Sequence, residues 1–189
     1  ISPPAKLRCS APVSVIADCF YRGKEKSASH PKPFFGSPQQ VELGQSMELT
    51  YQLDEIERVA KKLAKLIKPG DIVGFTGELA AGKTTLISHL VAAFGYEGVV
   101  NSPTFVIEHR YPVKAKGLTE IIHLDFYRLS EADLVHFDWA EYLEAPTKIV
   151  LIEWPAVAET HLPKRMKQIT IKPLDEKTRH LVLQNNPSR

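Results

Sequence analysis

The 189 residues carry 24 Lys and Arg against 22 Asp and Glu, a formal net charge of +2, with 43% hydrophobic and 24% charged side chains. These values suit a globular chain with one sizeable core, the charge is too small to argue for nucleic acid by itself, and no apolar run approaches the ~18–20 residues that span a bilayer. The cysteines, Cys9 and Cys19, exclude a disulfide framework and a four-cysteine zinc site, so a reducing, cytosolic compartment is the simplest expectation.

Residues 1–46 differ in kind from the rest. They hold six of the 14 prolines and six Lys and Arg against three Asp and Glu, with no sustained period and no Met. Three readings compete: an upstream stretch ahead of a Met47 start (the favoured one), an organellar transit segment, and a native disordered tail. None predicts a folded unit, so the folded domain is expected over 47–189.

From Met47 the pattern is regular. A strand at 48–52 leads to a helix over 54–67 whose apolar face is Ile56, Val59, Ala60, Leu63, Leu66 and Ile67. Asp54 with Glu57 forms a candidate capping box, and Pro69-Gly70 ends the helix. "DIVGFTG" reads as a buried strand and Gly82 to Phe94 as a helix stopped by Gly95. Further strands are expected at 105–112, 119–125 and 148–153, with short helices capped by Ser130 and Asp133 and over 138–144. "KQITIKP" and "TRHLVLQ" form two closing strands around the turn "LDEK". Strands alternating with helices predict an α/β three-layer sandwich with a mainly parallel central sheet and antiparallel C-terminal strands.

Gly77-Glu78-Leu79-Ala80-Ala81-Gly82-Lys83-Thr84 satisfies G-x-x-x-x-G-K-S/T between an apolar strand and an amphipathic helix, which predicts a P-loop NTPase. Consecutive backbone N–H groups and the helix's positive end suit a phosphate. Lys83 would neutralise phosphate oxygens and the Thr84 hydroxyl would ligate Mg²⁺, while Thr85 packs or caps at the end of the same cofactor-binding stretch. Ala80 stands where many such loops carry glycine; at positive φ it costs about 1 kcal/mol and removes no donor.

A phosphate loop also needs acids for the metal and the attacking water. "IIHLD" ends at Asp125 and "IVLIE" at Glu153, the ends where parallel sheets place ligands. Asp125 is assigned to the metal's water shell and Glu153 to polarising the water; the reverse assignment stays open, so Thr84, Asp125 and Glu153 together form the candidate metal set. No N-K-x-D segment for guanine and no L-S-G-G-Q signature occurs, which favours ATP as nucleotide.

"GELAAGKTT", "NSPTF", "HLDFYRL" and "LIEWP", in this order, closely resemble the TsaE (YjeE) family, the ATPase of tRNA threonylcarbamoyladenosine biosynthesis, over about 47–175. The resemblance implies a nucleotide-sensing switch that places Thr104 near the γ-phosphate or Mg²⁺, Glu153 as the essential acid, and Trp154 beside the nucleotide. His123, Asp125, Tyr127 and Arg128 match its H-x-D-x-Y-R segment; a buried or loop-facing role is expected for His123, and a phosphate, partner or plain surface contact for Arg128. Ala80 departs from the family's glycine and Phe137-Asp138 from its commoner Leu-Gly, the second touching partner-facing geometry and not the chemistry. Trp139 reads as packing.

The function so implied is a slow, partner-dependent ATPase that docks on a TsaB–TsaD-type complex and resets it between rounds of threonylcarbamoyl transfer, with tRNA associated indirectly. A small-molecule P-loop kinase is the alternative enzyme, though only Arg110 and Arg128 offer themselves and no arginine-rich lid segment occurs. A nucleotide-dependent scaffold without useful hydrolysis is the alternative of another class.

Overall fold

The computed structural model describes residues 46–115 and 117–185. The expectations for 1–46 therefore lie outside the described residues, Ser46 aside. The rest builds one seven-stranded sheet of order β1-β7-β6-β2-β5-β4-β3. Its strands are β1 (Met47–Gln52), β2 (Ile72–Thr76), β3 (Glu108–Ala115), β4 (Leu118–Asp125), β5 (Lys148–Glu153), β6 (Lys167–Pro173) and β7 (Thr178–Asn185).

Strand alternation divides the apolar side chains between two faces. Val73 and Phe75 of β2, Ile149 and Leu151 of β5 and Ile121 of β4 join the core under two eleven-residue helices, α1 (Ile56–Leu66) and α2 (Lys83–Ala93). Ile72, Val150, Ile152, Ile122 and Leu124 face the other way. That second face is covered by α3 (Trp139–Leu143) and by short 3₁₀ turns at Glu131–Leu134 and Pro155–Ala158. Phe126, Phe137, Trp139 and Tyr142 fill this thinner layer, with Phe137 stacked on Tyr142 at 4.8 Å. Trp139 thus packs, as its lack of motif context suggests.

The expectation of a mainly parallel sheet holds for the four central strands, β6, β2, β5 and β4. The outer pairings β1–β7, β7–β6 and β4–β3 are antiparallel. The connections account for two of these: β6 to β7 and β3 to β4 are hairpins, whereas parallel neighbours need long crossovers. No helix among the described residues is long and apolar enough to cross a membrane.

Two local expectations are corrected. The carboxylate that caps the first helical turn is Glu55, whose Oε2 accepts from the Gln52 N–H at 2.9 Å, and not the pair Asp54 and Glu57. A 3₁₀ turn at Leu53–Glu55 starts the helix earlier and moves the cap by two residues. The strand expected from residue 105 begins at Glu108. Before it, the N–H groups of Val106 and Ile107 donate to the Pro103 carbonyl at 2.9 and 2.6 Å, coiling the apolar run into a turn.

Candidate functional site

β2 runs into the loop Gly77–Gly82, and α2 starts at Lys83. Gly77 passes so close to β6 that a Cβ there would lie 2.5 Å from the Ile171 carbonyl oxygen, so only glycine fits. Gly82 turns the chain into the helix at φ 102°, and Ala80 holds φ 63°, the left-handed angle anticipated for it. The side chains of Glu78, Leu79 and Ala80 are exposed at the tip, Ala81 is buried, and Thr85 is exposed on the first turn of α2. The packing expected of Thr85 is not found, because it lies on the outward face of the helix. Arg179 of β7 braces the loop by donating Nε–H to the Ala81 carbonyl at 3.0 Å.

Lys83 is only 5% exposed. Its Nζ donates to the carbonyls of Gly77 at 3.0 Å and Glu78 at 2.9 Å and sits 4.0 Å from the centre of the Trp154 ring. Burial pushes its pKa below the ordinary lysine value, while the Glu153 and Asp125 carboxylates pull it back up. Trp154 reaches that position through a left-handed backbone at φ 59° immediately after β5, with the Tyr127 ring 5.1 Å away.

The two acids meet because their strands are parallel neighbours in register: Asp125 pairs with Glu153 across β4 and β5, and Glu153 pairs with Phe75 of β2. Each is 3% exposed. Glu153 Oε1 accepts from the Thr84 hydroxyl at 2.7 Å and from His123 Nε2–H at 3.0 Å. Asp125 Oδ1 accepts from the Tyr127 N–H at 3.0 Å, and Oδ2 accepts from the hydroxyls of Ser102, at 3.2 Å, and Thr104. The S-P-T segment is thereby tied to one of the acids. Its turn closes at Ile107, a β-branched residue at φ 70°, a strained angle of the kind that collects at functional sites.

His123 is fully buried, and its Nδ1 is the ring atom without a partner among the described residues. Leaving such an atom unsatisfied costs on the order of 1–3 kcal/mol. Arg128 lies at the surface with its guanidinium 4.1 Å from the centre of the exposed Phe105 ring.

Lys83, Thr84, Thr104, Asp125, Glu153 and Trp154 are thus gathered at the carboxyl ends of β2, β5 and β4. Ser102 and Arg179 were missed by sequence reasoning. Ser102 lies two residues before Thr104 and could have been found by asking which hydroxyls share that loop; Arg179, 98 residues from Ala81, carries no local signal. The oxygens of Thr84, Asp125 and Glu153 form a hard donor set of the kind that suits Mg²⁺. Among the described residues, no group of three or more His, Cys, Asp or Glu could hold a metal by itself. That donor set fits a Mg²⁺ site that is completed by phosphate oxygens and water.

Residues 50–181 match the family described as "Threonylcarbamoyl adenosine biosynthesis protein TsaE". The chain is similar to the tRNA threonylcarbamoyladenosine biosynthesis protein TsaE of Bacillus subtilis (strain 168), with 36% identity over 124 residues, 65% of this chain and 75% of the relative. The protein of the same name in Rickettsia felis is 33% identical over 137 residues, 71% of this chain and 77% of the relative. The crystal structure of Bacillus subtilis YdiB superposes with a TM-score of 0.60 at 26% identity, covering 75% of this chain and 88% of that one.

Proposed function

The chain belongs to the TsaE family of tRNA threonylcarbamoyladenosine biosynthesis, and on that premise we propose that it is the pathway's Mg²⁺-dependent ATPase subunit. In this reading residues 47–189 are a cytoplasmic P-loop ATPase domain. It cycles a TsaB–TsaD-type complex that transfers threonylcarbamoyl to the tRNA adenosine next to the anticodon, and its association with tRNA is indirect.

One observation carries the proposal: a phosphate-type loop, its lysine and two buried carboxylates converge at one end of the sheet. Residues Gly77 to Thr85 hold the phosphates through backbone N–H groups at the start of α2, the end of a helix that favours anions. Lys83 balances their charge, and Trp154 lies against that lysine beside the nucleotide. The Thr84 hydroxyl and the carboxylates of Asp125 and Glu153 hold Mg²⁺ and its waters. When bound, the ion neutralises charge on the transferring phosphoryl group. Glu153 orients the attacking water, and Thr104, already tied to Asp125, couples its loop to the phosphates.

Single-turnover hydrolysis of ATP by the chain, with and without the TsaB–TsaD complex, tests this. Slow turnover alone, quickened at least about ten-fold by the complex, is the expected result. Equal rates in both would overturn the partner-dependent cycle.

The kinase alternative is disfavoured by where the arginines are spent. Arg110 pairs with Glu108, Glu120 at 3.5 Å and Glu141 at 2.7 Å on the sheet edge, and Arg128 is stacked on Phe105. Ala80→Gly relieves the left-handed alanine, worth about 1 kcal/mol. Because the loop already holds φ 63° in the folded chain itself, the gain should appear as a melting midpoint raised by about 2–4 °C, with ATP affinity little changed; an unchanged or lower midpoint would reject the strain argument.

A further inference from the structure

The buried ring of His123 is left without a use by the phosphate chemistry. It belongs to β4, two residues before Asp125, so alternation puts both side chains on one face of the strand. Across the parallel pair it lies opposite Leu151, two residues before Glu153 on β5, which lets the ring reach up to that carboxylate. A carboxylate has no proton to give, so the ring nitrogen at 3.0 Å must be the donor. In the neutral ring this fixes the Nε2–H form and leaves Nδ1 bare in the core, as observed.

The second donor to the same oxygen, the Thr84 hydroxyl, comes from the first turn of α2. Two donors from two different elements therefore converge on Glu153 Oε1. Among the described residues none donates to Oε2. The carboxylate has one oxygen occupied by the protein and one open.

We propose that His123 is a positioning residue for Glu153: its Nε2–H holds Oε1 so that Oε2 is the oxygen presented to the attacking water. The role rests on the ATPase reading above and adds to it a link between the acids. Strand β4 supplies both Asp125 and the group that aims Glu153, so a shift of that strand would move the two acids together. A ring retained in the core with a bare nitrogen makes a poor space-filler, since an apolar side chain of like volume would leave nothing unsatisfied. An orienting hydrogen bond on a site carboxylate accounts for it. Outer groups of this kind typically change activity 10–100-fold when removed.

The test uses the full chain labelled with ¹⁵N-histidine, together with His123→Phe, which keeps a ring and removes the donor, and His123→Gln, which restores an N–H at similar reach. Ring NMR of the wild-type chain should show the Nε2–H form for His123, assigned by its loss in His123→Gln. Turnover of ATP should fall about 10–100-fold in the Phe variant while KM and the calorimetric affinity stay within about 3-fold, and the Gln variant should recover to within about 5-fold of wild type.

An Nδ1–H ring overturns the proposal. So does a Phe variant as fast as wild type, or a parallel fall of affinity and turnover in both variants, the mark of a structural residue. Both variants are melted first; where the Phe variant is unfolded, the wild-type ring form decides. Absence of any wild-type turnover, with or without partners, overturns instead the ATPase reading and Glu153's part in it.

Discussion

Lys83→Ala should raise the dissociation constant for ATP at least about 10-fold, measured by calorimetry with Mg²⁺ present. Lys83 is the first residue of α2, almost wholly buried, and its ammonium is aimed between the loop carbonyls and the face of Trp154. Truncation removes a cation from a site that keeps two buried carboxylates, so an incoming polyanion would meet uncompensated like charge. Loss of a charge-assisted hydrogen bond is worth about 1.5–3 kcal/mol, and breaking a buried charge pairing about 3–5 kcal/mol. At 1.4 kcal/mol per decade, these span roughly one to three and a half decades in affinity. Folding should suffer far less. Burial already works against the charged form of this lysine, as the lowered pKa records, and the methylenes lost lie beside an aromatic ring that can settle into the space. A melting midpoint within a few degrees of wild type, combined with lost binding, is the expected pair of results. Binding within about 3-fold of wild type would remove the loop from the nucleotide site.

How much of this site could be read before the fold was known follows from which contacts are local. The loop was legible because a strand, two glycines, Lys83 and Thr84 are consecutive. The acids were legible because β4 and β5 are short apolar runs that each stop at a carboxylate, and parallel strands bring such ends to one edge of a sheet. Their direct pairing, Asp125 against Glu153, is a matter of register, which neither run states alone. His123 was marked by its motif, yet its bond to Glu153 joins residues 30 apart and depends on that same register. Arg179 is further removed, since a strand at the end of the chain supports a loop in the middle. The apolar residues 105–107 looked like the start of a strand; the Pro103 carbonyl took two of their N–H groups instead, and that turn brings the Thr104 hydroxyl to Asp125. On the second face, the short helical elements expected after Ser130 and over 138–144 are found as a 3₁₀ turn at Glu131–Leu134 and α3, whereas the aromatic packing of Phe126, Phe137, Trp139 and Tyr142 beneath them is a tertiary matter that no local pattern states.

Glu153→Gln should keep ATP affinity within about 3-fold and reduce single-turnover hydrolysis about 100- to 10,000-fold, the range for losing a positioned general base. The substitution is close to isosteric, and the amide oxygen can still accept from Thr84 and His123, so the occupied side of the group is conserved while the open oxygen is exchanged for an N–H₂ that cannot take a proton. Binding and turnover would then separate, which distinguishes a cycling ATPase from a scaffold: a scaffold that needs only bound ATP fails with Lys83→Ala and survives Glu153→Gln, whereas a cycling subunit fails with both. The same variant divides the labour between the acids. If Glu153 orients water, the Mg²⁺ concentration for half-maximal rate stays put as the rate falls, and Asp125→Asn raises that concentration instead. A rise for Glu153→Gln and none for Asp125→Asn reverses the two roles. Turnover of Glu153→Gln within about 10-fold of wild type would take Glu153 out of the chemistry altogether, leaving its buried carboxylate as a structural tie between β5, His123 and the start of α2.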